Sequence, residues 1–193
     1  MKSICVFCGS STGSDPVYAE VASNLGRIMA EKQIRLIYGG ASVGIMGILA
    51  DSVLKHQGEI IGVIPSFFSK KEIAHQHLKE LIFVDSMHER KLKMASLSDG
   101  FITLPGGYGT MDEFFEMLTW SQLDLHQKPV GLLNIHGFFN PLITMLDRMT
   151  EEKFVKEAHR QMVICHENID ELLQMMEAYK PVRLEKWLNR IKA

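Results

Sequence analysis

The segment GFITLPGGYGT, residues 100–110, joins an apolar run to a glycine-rich turn that leads into helical periodicity. This order recurs along the chain, with strands predicted at 3–8, 34–38, 60–64, 81–84, 100–104, 129–133 and 161–165. Helices are predicted between them at 16–31, 44–57, 87–98, 111–123, 138–151 and 169–178. Several strands are continuously apolar, which is typical of strands covered on both faces. The pattern predicts an α/β fold, a Rossmann-like doubly wound, mostly parallel sheet with helices on both faces.

Length and charge limit the class of protein. The chain has 193 residues, of which 46% are hydrophobic and 23% are charged, and its net charge is −2. These values predict one domain, which spans residues 1–180 and ends at about Lys180–Pro181. The tail over 181–193 has apolar residues at the spacing of a short amphipathic helix: Leu184, Trp187, Leu188 and Ile191. A net charge so close to zero gives no general attraction to a nucleic acid polymer or an anionic membrane, so neither is expected as a partner.

The cysteines Cys5, Cys8 and Cys165 are odd in number, which argues against a disulfide framework. Cys5 and Cys8 form a CxxC pattern inside a predicted strand, where their side chains point to opposite faces. We expect buried thiols rather than a metal site, because no second ligand pair with suitable spacing is present. The sequence shows no signal segment or membrane span. We therefore expect a cytoplasmic protein without a bound metal.

Polar residues that can cap a helix stand before several predicted helices: Asp15, Ser86, Thr110 and Asn168. Asp15 is followed by Pro16, which is favoured at the first helical position. Thr110 has Glu113 three residues later, so these two residues read as a capping box. This interpretation places the start of the fourth predicted helix at about residue 111.

Three small-residue loops follow predicted strands, at the edge of the sheet where such folds bind ligands. They contain Ser10, the pair Gly39–Gly40 with Gly44, and the run Gly106, Gly107, Tyr108, Gly109 and Thr110. Glycine turns that lead into helix N-termini expose N–H groups, and the helix dipole favours an anion there. We therefore predict a phosphorylated ligand across these loops. The alternative is that each glycine only satisfies a tight turn or close packing.

These glycine loops do not match the common nucleotide motifs. No Lys-Ser or Lys-Thr pair follows the glycines, as the Walker pattern requires. Asp112 stands where the last glycine of GxGxxG would be, and the first strand carries no such spacing. A dehydrogenase is therefore disfavoured.

Arg90 and Glu113 are the candidate reactive residues. Arg90 offers a permanent planar cation on the helix after the fourth predicted strand, and Glu113 lies just beyond the glycine turn. We expect them to converge, because both follow the carboxyl ends of strands that are predicted to be neighbours. An arginine and a carboxylate that meet beside glycine turns indicate a functional site rather than an ordinary surface. The alternatives are a solvated helix face for Arg90 and a capping role for Glu113.

A polar segment between the third and fourth predicted strands contains Lys70, Lys71, Glu72, His75 and His77. The histidine spacing does not match a pair of metal ligands on a helix, and no cysteine accompanies them. The segment is interpreted either as a flap over the site or as an ordinary surface loop.

Together these motifs resemble the Lonely-Guy family. The run from Pro105 to Glu113 reads PGGxGTxxE, and the resemblance extends to Arg90–Lys91, residues 7–11, Gly39–Gly40, residues 44–47 and Thr119–Trp120. The resemblance implies that Arg90 and Glu113 are catalytic. It also implies that the substrate is surrounded by Lys91, Gly107 to Thr110, Thr119 and, on a weaker match, Glu72.

The resemblance also implies an activity. Family members are cytokinin-activating 5′-monophosphate phosphoribohydrolases with a Rossmann-like sheet, usually homodimers with sites near the interface, and were long labelled lysine decarboxylases. No cofactor is expected, because a decarboxylase would need pyridoxal phosphate on a lysine in an apolar setting, and the sequence offers none. The rival prediction is a non-catalytic nucleotide-binding or carrier protein on the same fold. Whether the base is adenine or an N6-isoprenoid adenine is left open.

Overall fold

Seven strands form the centre of the protein in the computed structural model, which describes residues 1–69 and 74–182. Their bounds are β1 (Ser3–Phe7), β2 (Arg35–Tyr38), β3 (Ile60–Pro65), β4 (Leu81–Val84), β5 (Gly100–Thr103), β6 (Val130–Leu133) and β7 (Val163–His166). The strands lie in the order β4-β3-β2-β1-β5-β6-β7, and every neighbouring pair is parallel. Each lies within two residues of its predicted position at the start and one at the end.

Helices connect the strands. Within the described residues they are α1 (Val17–Glu31), α2 (Gly44–Lys55), α3 (Ser66–Ser69), α4 (Met87–Ser96), α5 (Tyr108–Gln122), α6 (Asn140–Glu151), α7 (Glu157–Arg160) and α8 (Ile169–Glu177), with a 3₁₀ turn at Ile135–Gly137. The six long helices match the predicted ones, whereas the sequence pattern missed α3, α7 and the 3₁₀ turn. These three are single turns, too short to show a periodic pattern.

Two apolar layers cover the sheet, one on each face. One layer packs α1, α2 and α8 against the sheet, and the other packs α4, α5 and α6. Cys8 belongs to the first layer and Cys5 to the second, and all three cysteines are free thiols. The predicted doubly wound architecture and the opposite faces of the CxxC pair are therefore confirmed.

The sheet has its topological switch point between β1 and β5. From β1 the chain proceeds through β2 and β3 to β4 on one side, and then returns to continue with β5, β6 and β7 on the other. The helices that follow β1 and β5, α1 and α5, lie on opposite faces of the sheet, and folds of this kind bind ligands at such a point. The loop after β5 is the glycine turn.

The prediction that β4 and β5 are neighbours is wrong. Three strands, β3, β2 and β1, lie between them. α4 joins the edge strand β4 to the central strand β5, and it packs against β3 on the way. A crossover helix of this kind runs back across the sheet. A side chain on α4 can therefore reach the middle of the sheet although β4 and β5 are not adjacent.

The helix caps follow the sequence in three places. Oδ1 of Asp15 accepts the N–H of Val17 at 3.0 Å, and Pro16 already has helical dihedral angles. Ser86 accepts the N–H of Glu89, and Asn168 accepts two N–H groups of α8. These caps satisfy donors that a helix start leaves unpaired.

The fourth predicted cap, Thr110, is wrong. α5 begins at Tyr108 after an extended Gly107, so Thr110 and Glu113 lie within the helix. Glu113 is therefore not the third residue of a capping box, and its capping alternative is removed.

The predicted C-terminal amphipathic helix falls mostly on residues 183–193, which lie outside the described residues. α8 ends at Glu177. Among residues 1–69 and 74–182, every helix is too short or too polar to cross a bilayer.

Candidate active site

Arg90 and Glu113 form an ion pair at the carboxyl edge of the sheet. Nη1 of Arg90 donates to Oε1 of Glu113 at 2.9 Å, and Nε of Arg90 donates to the carbonyl oxygen of Val63 at 3.1 Å. The side chains are only 12% and 10% exposed. A buried pair of this kind is costly to desolvate, so its presence needs a reason beyond stability.

Gly39 makes the space for the Arg90 side chain. A Cβ atom at Gly39 would collide with Nη2 of Arg90. The guanidinium therefore lies across the end of β2, between the carbonyl of Val63 on β3 and the carboxylate on α5. From the sequence, Gly39 was predicted only as part of a glycine turn, with no link to Arg90. The structure gives it that role.

The environment of Glu113 changes its acidity. Burial raises the pKa of Glu113, while the charge of Arg90 and its hydrogen bond lower it, and the net direction is upward. Asp112 adds to the rise and Lys91 opposes it. A mostly buried carboxyl group with a raised pKa and a specific charged partner has the character of a functional acid or base.

Lys91, the next residue on α4, makes a second contact with α5. Its buried Nζ lies 3.0 Å from Oδ2 of Asp112 and 2.9 Å from Oε2 of Glu116. Although burial opposes the charge of Lys91, the two carboxylates outweigh that effect and raise its pKa. Asp112 and Glu116 were missed, although their spacing of four residues puts them on one helix face. Arg90 and Lys91, consecutive residues of α4, thus both form ion pairs with carboxylates of α5.

The N-terminus of α5 is open to solvent. Gly107 and Gly109 are exposed, and a Cβ at either position would meet nothing within 4 Å. Tyr108 between them is 97% exposed. The first N–H groups of a helix have no partner within it, so this end can receive an anion. The fold itself does not require glycine at Gly107 or Gly109.

Gly106 and Thr110 shape this turn rather than line its open side. A Cβ on Gly106 would collide with Oγ1 of Thr110 and come within 2.9 Å of the nitrogen of Gly9. The N–H of Gly9 donates to Pro105 at 3.1 Å, which joins the loops after β1 and β5. Thr110 is buried.

The N-terminus of α2, by contrast, is packed against the protein. A Cβ on Gly44 would collide with the backbone of Ser10, and the N–H of Ile45 donates to Gly9 at 3.1 Å. Gly40 has a positive φ of 74° and its carbonyl accepts from His75. At Gly40 and Gly44 the structural explanation for glycine therefore applies, whereas the exposed Ser10 lies on the same rim as α5.

Of the remaining predicted residues, Thr119 lies in the described part of the chain, and it does not join the pair. Thr119 is exposed on α5, six residues beyond Glu113 and therefore on a different side of the helix. Glu72, Lys70 and Lys71 lie outside the described residues. In the part of the chain that the structure describes, no group of three or more His, Cys, Asp or Glu side chains is arranged to hold a metal ion.

Fold and site together define a class: an α/β protein of the Rossmann type, with a buried arginine–carboxylate pair beside an open glycine turn at the switch point. A family model described as "Possible lysine decarboxylase" matches residues 46–176. The chain belongs to this family, and its relatives show that it is the Lonely-Guy family.

Two plant relatives show the extent of the similarity. Cytokinin riboside 5′-monophosphate phosphoribohydrolase LOG5 of Arabidopsis thaliana is 44% identical, and the alignment covers 94% of this chain and 79% of that protein. Probable cytokinin riboside 5′-monophosphate phosphoribohydrolase LOGL1 of Oryza sativa subsp. japonica is 47% identical, over 91% of this chain and 79% of that protein.

A solved structure with the same fold is the molybdenum cofactor binding protein of the phototrophic bacterium Rippkaea orientalis. Its TM-score is 0.67, and the alignment covers 92% of this chain and 97% of that chain. The sequence identity is 23%, so this likeness concerns the fold alone.

Proposed function

We propose that the protein hydrolyses the N-glycosidic bond of adenosine 5′-monophosphates, including N6-substituted ones, and releases the free base and ribose 5-phosphate. The observation that carries this proposal is the buried ion pair of Arg90 and Glu113, 2.9 Å apart, beside the open start of α5. The names of the plant relatives, which are cytokinin riboside 5′-monophosphate phosphoribohydrolases, support the substrate class.

The reaction exchanges one bond at C1′ of the ribose. The bond between C1′ and the purine nitrogen breaks, and the base leaves with the electron pair. A water oxygen forms the new bond to C1′, and one proton of that water neutralises the base. Positive charge develops on the ribose as the bond breaks, as in the hydrolysis of other glycosides.

Glu113 is assigned to that developing charge. Its carboxylate can stabilise the positively charged ribose or take a proton from the attacking water. Because burial raises the pKa of Glu113, its carboxylate is a better proton acceptor than an exposed one. Arg90 holds the carboxylate through Nη1, which supports an orienting role for Arg90.

The 5′-phosphate is assigned to the start of α5. Gly107, Tyr108 and Gly109 leave room for an anion to approach the backbone, and the helix dipole favours its charge. A phosphate held there places the ribose near Glu113, so binding energy from a group that does not react positions the one that does. Contacts of substrate with the other predicted residues remain predictions: Ser10, Gly40, Gly44, Glu72, Lys91, Gly106, Thr110 and Thr119.

Two lysines of the described residues, Lys91 and Lys128, have shifted pKa values, and neither is suited to a Schiff base with pyridoxal phosphate at this site. A Schiff-base lysine needs a lowered pKa, whereas two carboxylates raise the pKa of Lys91. Burial does lower the pKa of Lys128, but this residue precedes β6 at the amino edge of the sheet, away from the glycine turn. Its Nζ donates to the carbonyl of Ala95 at 2.6 Å.

We further propose that residues 1–180 act as one hydrolase domain in a cytoplasmic homodimer. Free thiols at all three cysteines fit a reducing compartment. Large apolar side chains are exposed on α4, on α6 and on the loops that follow α5 and α6, which fits a surface covered by a second copy: Leu92, Met145, Leu123, Leu125 and Phe154. Sedimentation equilibrium of the full chain measures this directly, and a monomer at micromolar concentration would contradict the dimer.

To test the activity, the parent protein is incubated separately with AMP, N6-isopentenyl-AMP and adenosine. Chromatography should show free base and ribose 5-phosphate in equal amounts from at least one nucleotide, and far less base from adenosine, because adenosine has no phosphate to hold. The ratio of kcat/KM for the two nucleotides identifies the preferred base. Tight nucleotide binding without release of base would favour the carrier protein instead.

A further inference from the structure

The turn that receives Arg90 is itself held by a buried histidine. Gly39, Gly40 and Ala41 follow β2, and Gly39 lies directly under the Arg90 guanidinium. The N–H of His75 donates to the carbonyl of Gly40 at 2.9 Å. Ala74 pairs with Ala41 in an isolated antiparallel bridge. The segment at Ala74–His75 thus adds a short strand-like contact to the turn.

Both ring nitrogens of His75 are used, and they fix one tautomer. Nδ1 accepts the N–H of His77 at 3.3 Å, so in the neutral ring Nε2 carries the hydrogen. Nε2 donates to Oδ1 of Asp51 on α2 at 3.0 Å. His75 is only 3% exposed, whereas the side chain of Asp51 is 69% exposed. The histidine therefore joins the turn to the body of α2.

Asp51 also acts on the residue before the turn. Tyr38 is fully buried, and its hydroxyl has no hydrogen-bond partner among the described residues. Burial and then the negative charge of Asp51 raise the pKa of Tyr38. The charge of Asp51 therefore opposes ionisation of the hydroxyl of Tyr38, the last residue of β2.

We propose that His75 and Asp51 are positioning residues for Arg90. They hold the Gly39–Gly40 turn in the position that leaves room for the guanidinium to contact both Val63 and Glu113. Both are assigned to act through the turn and not on the substrate, and the inference rests on the proposed function because it assumes that Arg90 serves the hydrolysis. The sequence did not indicate this role, because Asp51 and His75 are 24 residues apart and belong to no shared pattern.

The test uses Asp51, because its exposed side chain can be replaced without opening a cavity. D51A removes the acceptor for Nε2 of His75, whereas D51N keeps an oxygen acceptor at the same place. Asp147 provides a matched control, since it is also an exposed helical aspartate that accepts one side-chain hydrogen bond, from Arg160 at 2.7 Å. We expect D51A to lower kcat about tenfold with KM changed less than twofold, because small misplacements of a catalytic group are expensive.

The two controls separate positioning from general stability. D51N should recover kcat to within about threefold of the parent, and D147A should leave kcat unchanged at a temperature well below unfolding. If kcat of D51A equals that of D147A, or if D51N is as slow as D51A, the proposal is overturned.

A second readout does not depend on activity. The Nε–H signal of Arg90 in a proton–nitrogen NMR spectrum, assigned by its loss in R90K, reports the bond to Val63. D51A should shift or broaden this signal, whereas D51N and D147A should leave it in place. An unmoved signal in D51A refutes the positioning role even if the parent shows no hydrolase activity, whereas an inactive parent with a moved signal refutes only the proposed function.

Discussion

Replacing Gly39 with alanine tests whether the Arg90 guanidinium must lie where the structure puts it. The backbone at Gly39 is outside the left-handed region, so alanine is allowed there without strain. The added Cβ would collide with Nη2 of Arg90 and lie 3.1 Å from Sδ of Met46. Both neighbours are the far ends of flexible side chains. The fold should therefore survive while the guanidinium moves.

The size of the effect follows from the displacement. To restore van der Waals separation, the guanidinium must move by about 1 Å. A misplacement of this size typically costs about 10²-fold in rate, which corresponds to roughly 2.7 kcal/mol of transition-state stabilisation. We expect kcat for base release from AMP to fall by about that factor, with the melting temperature within a few degrees of the parent.

Gly131→Ala is the matched control. A Cβ at this buried position on β6 would lie 3.0 Å from Sδ of Met176 and 3.2 Å from Cδ1 of Leu172. Both residues belong to α8, which covers the other face of the sheet from α4 and α5. It should cost stability but leave kcat near that of the parent. If Gly39→Ala has a kcat within threefold of the parent, the site does not depend on the observed position of Arg90.

Three further changes test other parts of the site. Gly109→Ala should raise the stability of α5 by about 0.5–1 kcal/mol in thermal unfolding, because alanine favours a helix more than glycine does. In steady-state kinetics it should raise KM for AMP about tenfold, because its Cβ occupies space that the phosphate needs. An unchanged KM would place the phosphate elsewhere. Because the pKa of Glu113 is raised, the fall of kcat/KM on acidification should begin at a higher pH than an ordinary glutamate would give. Asp112→Asn removes a repelling charge and should move this acidic limb of the pH profile to lower pH. A limb that moves upward or stays would show that another group titrates. Lys91→Met should lower the free energy of unfolding in urea by about 2 kcal/mol, because the mostly buried Glu116 loses its cation, and no loss of stability would contradict the clamp between α4 and α5.

The sequence predicts the architecture well because its signals are local. Alternation along the first predicted strand, residues 3–8, places Cys5 and Cys8 on opposite faces, and the structure agrees. Apolar runs give the strands, and caps such as Ser86 and Asn168 give the helix starts. Each of these depends on neighbours within a few residues.

The start of α5 shows where a local signal misleads. Thr110 and Glu113 have the spacing of a capping box, but the extended Gly107 ends the turn three residues earlier. The helix then begins with Tyr108 and Gly109, which are weak helix formers. The turn before it is held by the N–H of Gly9, which donates to the carbonyl of Pro105, a contact between loops that are far apart in the sequence.

The site was found for a reason that was partly wrong. Arg90 and Glu113 do meet, but β4 and β5, which precede their helices, are not adjacent. The meeting depends on α4 crossing the sheet, and the order of parallel strands is a long-range property that local sequence does not encode. The role of Gly39 beside Arg90 and the contact of Arg90 with the carbonyl of Val63 were missed for the same reason.

The most direct test of the central claim is the rate of Glu113→Gln at saturating AMP or N6-isopentenyl-AMP, whichever the parent cleaves faster. Glutamine keeps the shape and an oxygen acceptor for Arg90 but cannot carry the negative charge. We predict that kcat for base release falls by about 10²–10⁴-fold while nucleotide binding, measured by calorimetry, persists. A kcat within tenfold of the parent, with the fold intact, would contradict the assignment of Glu113 to the reaction.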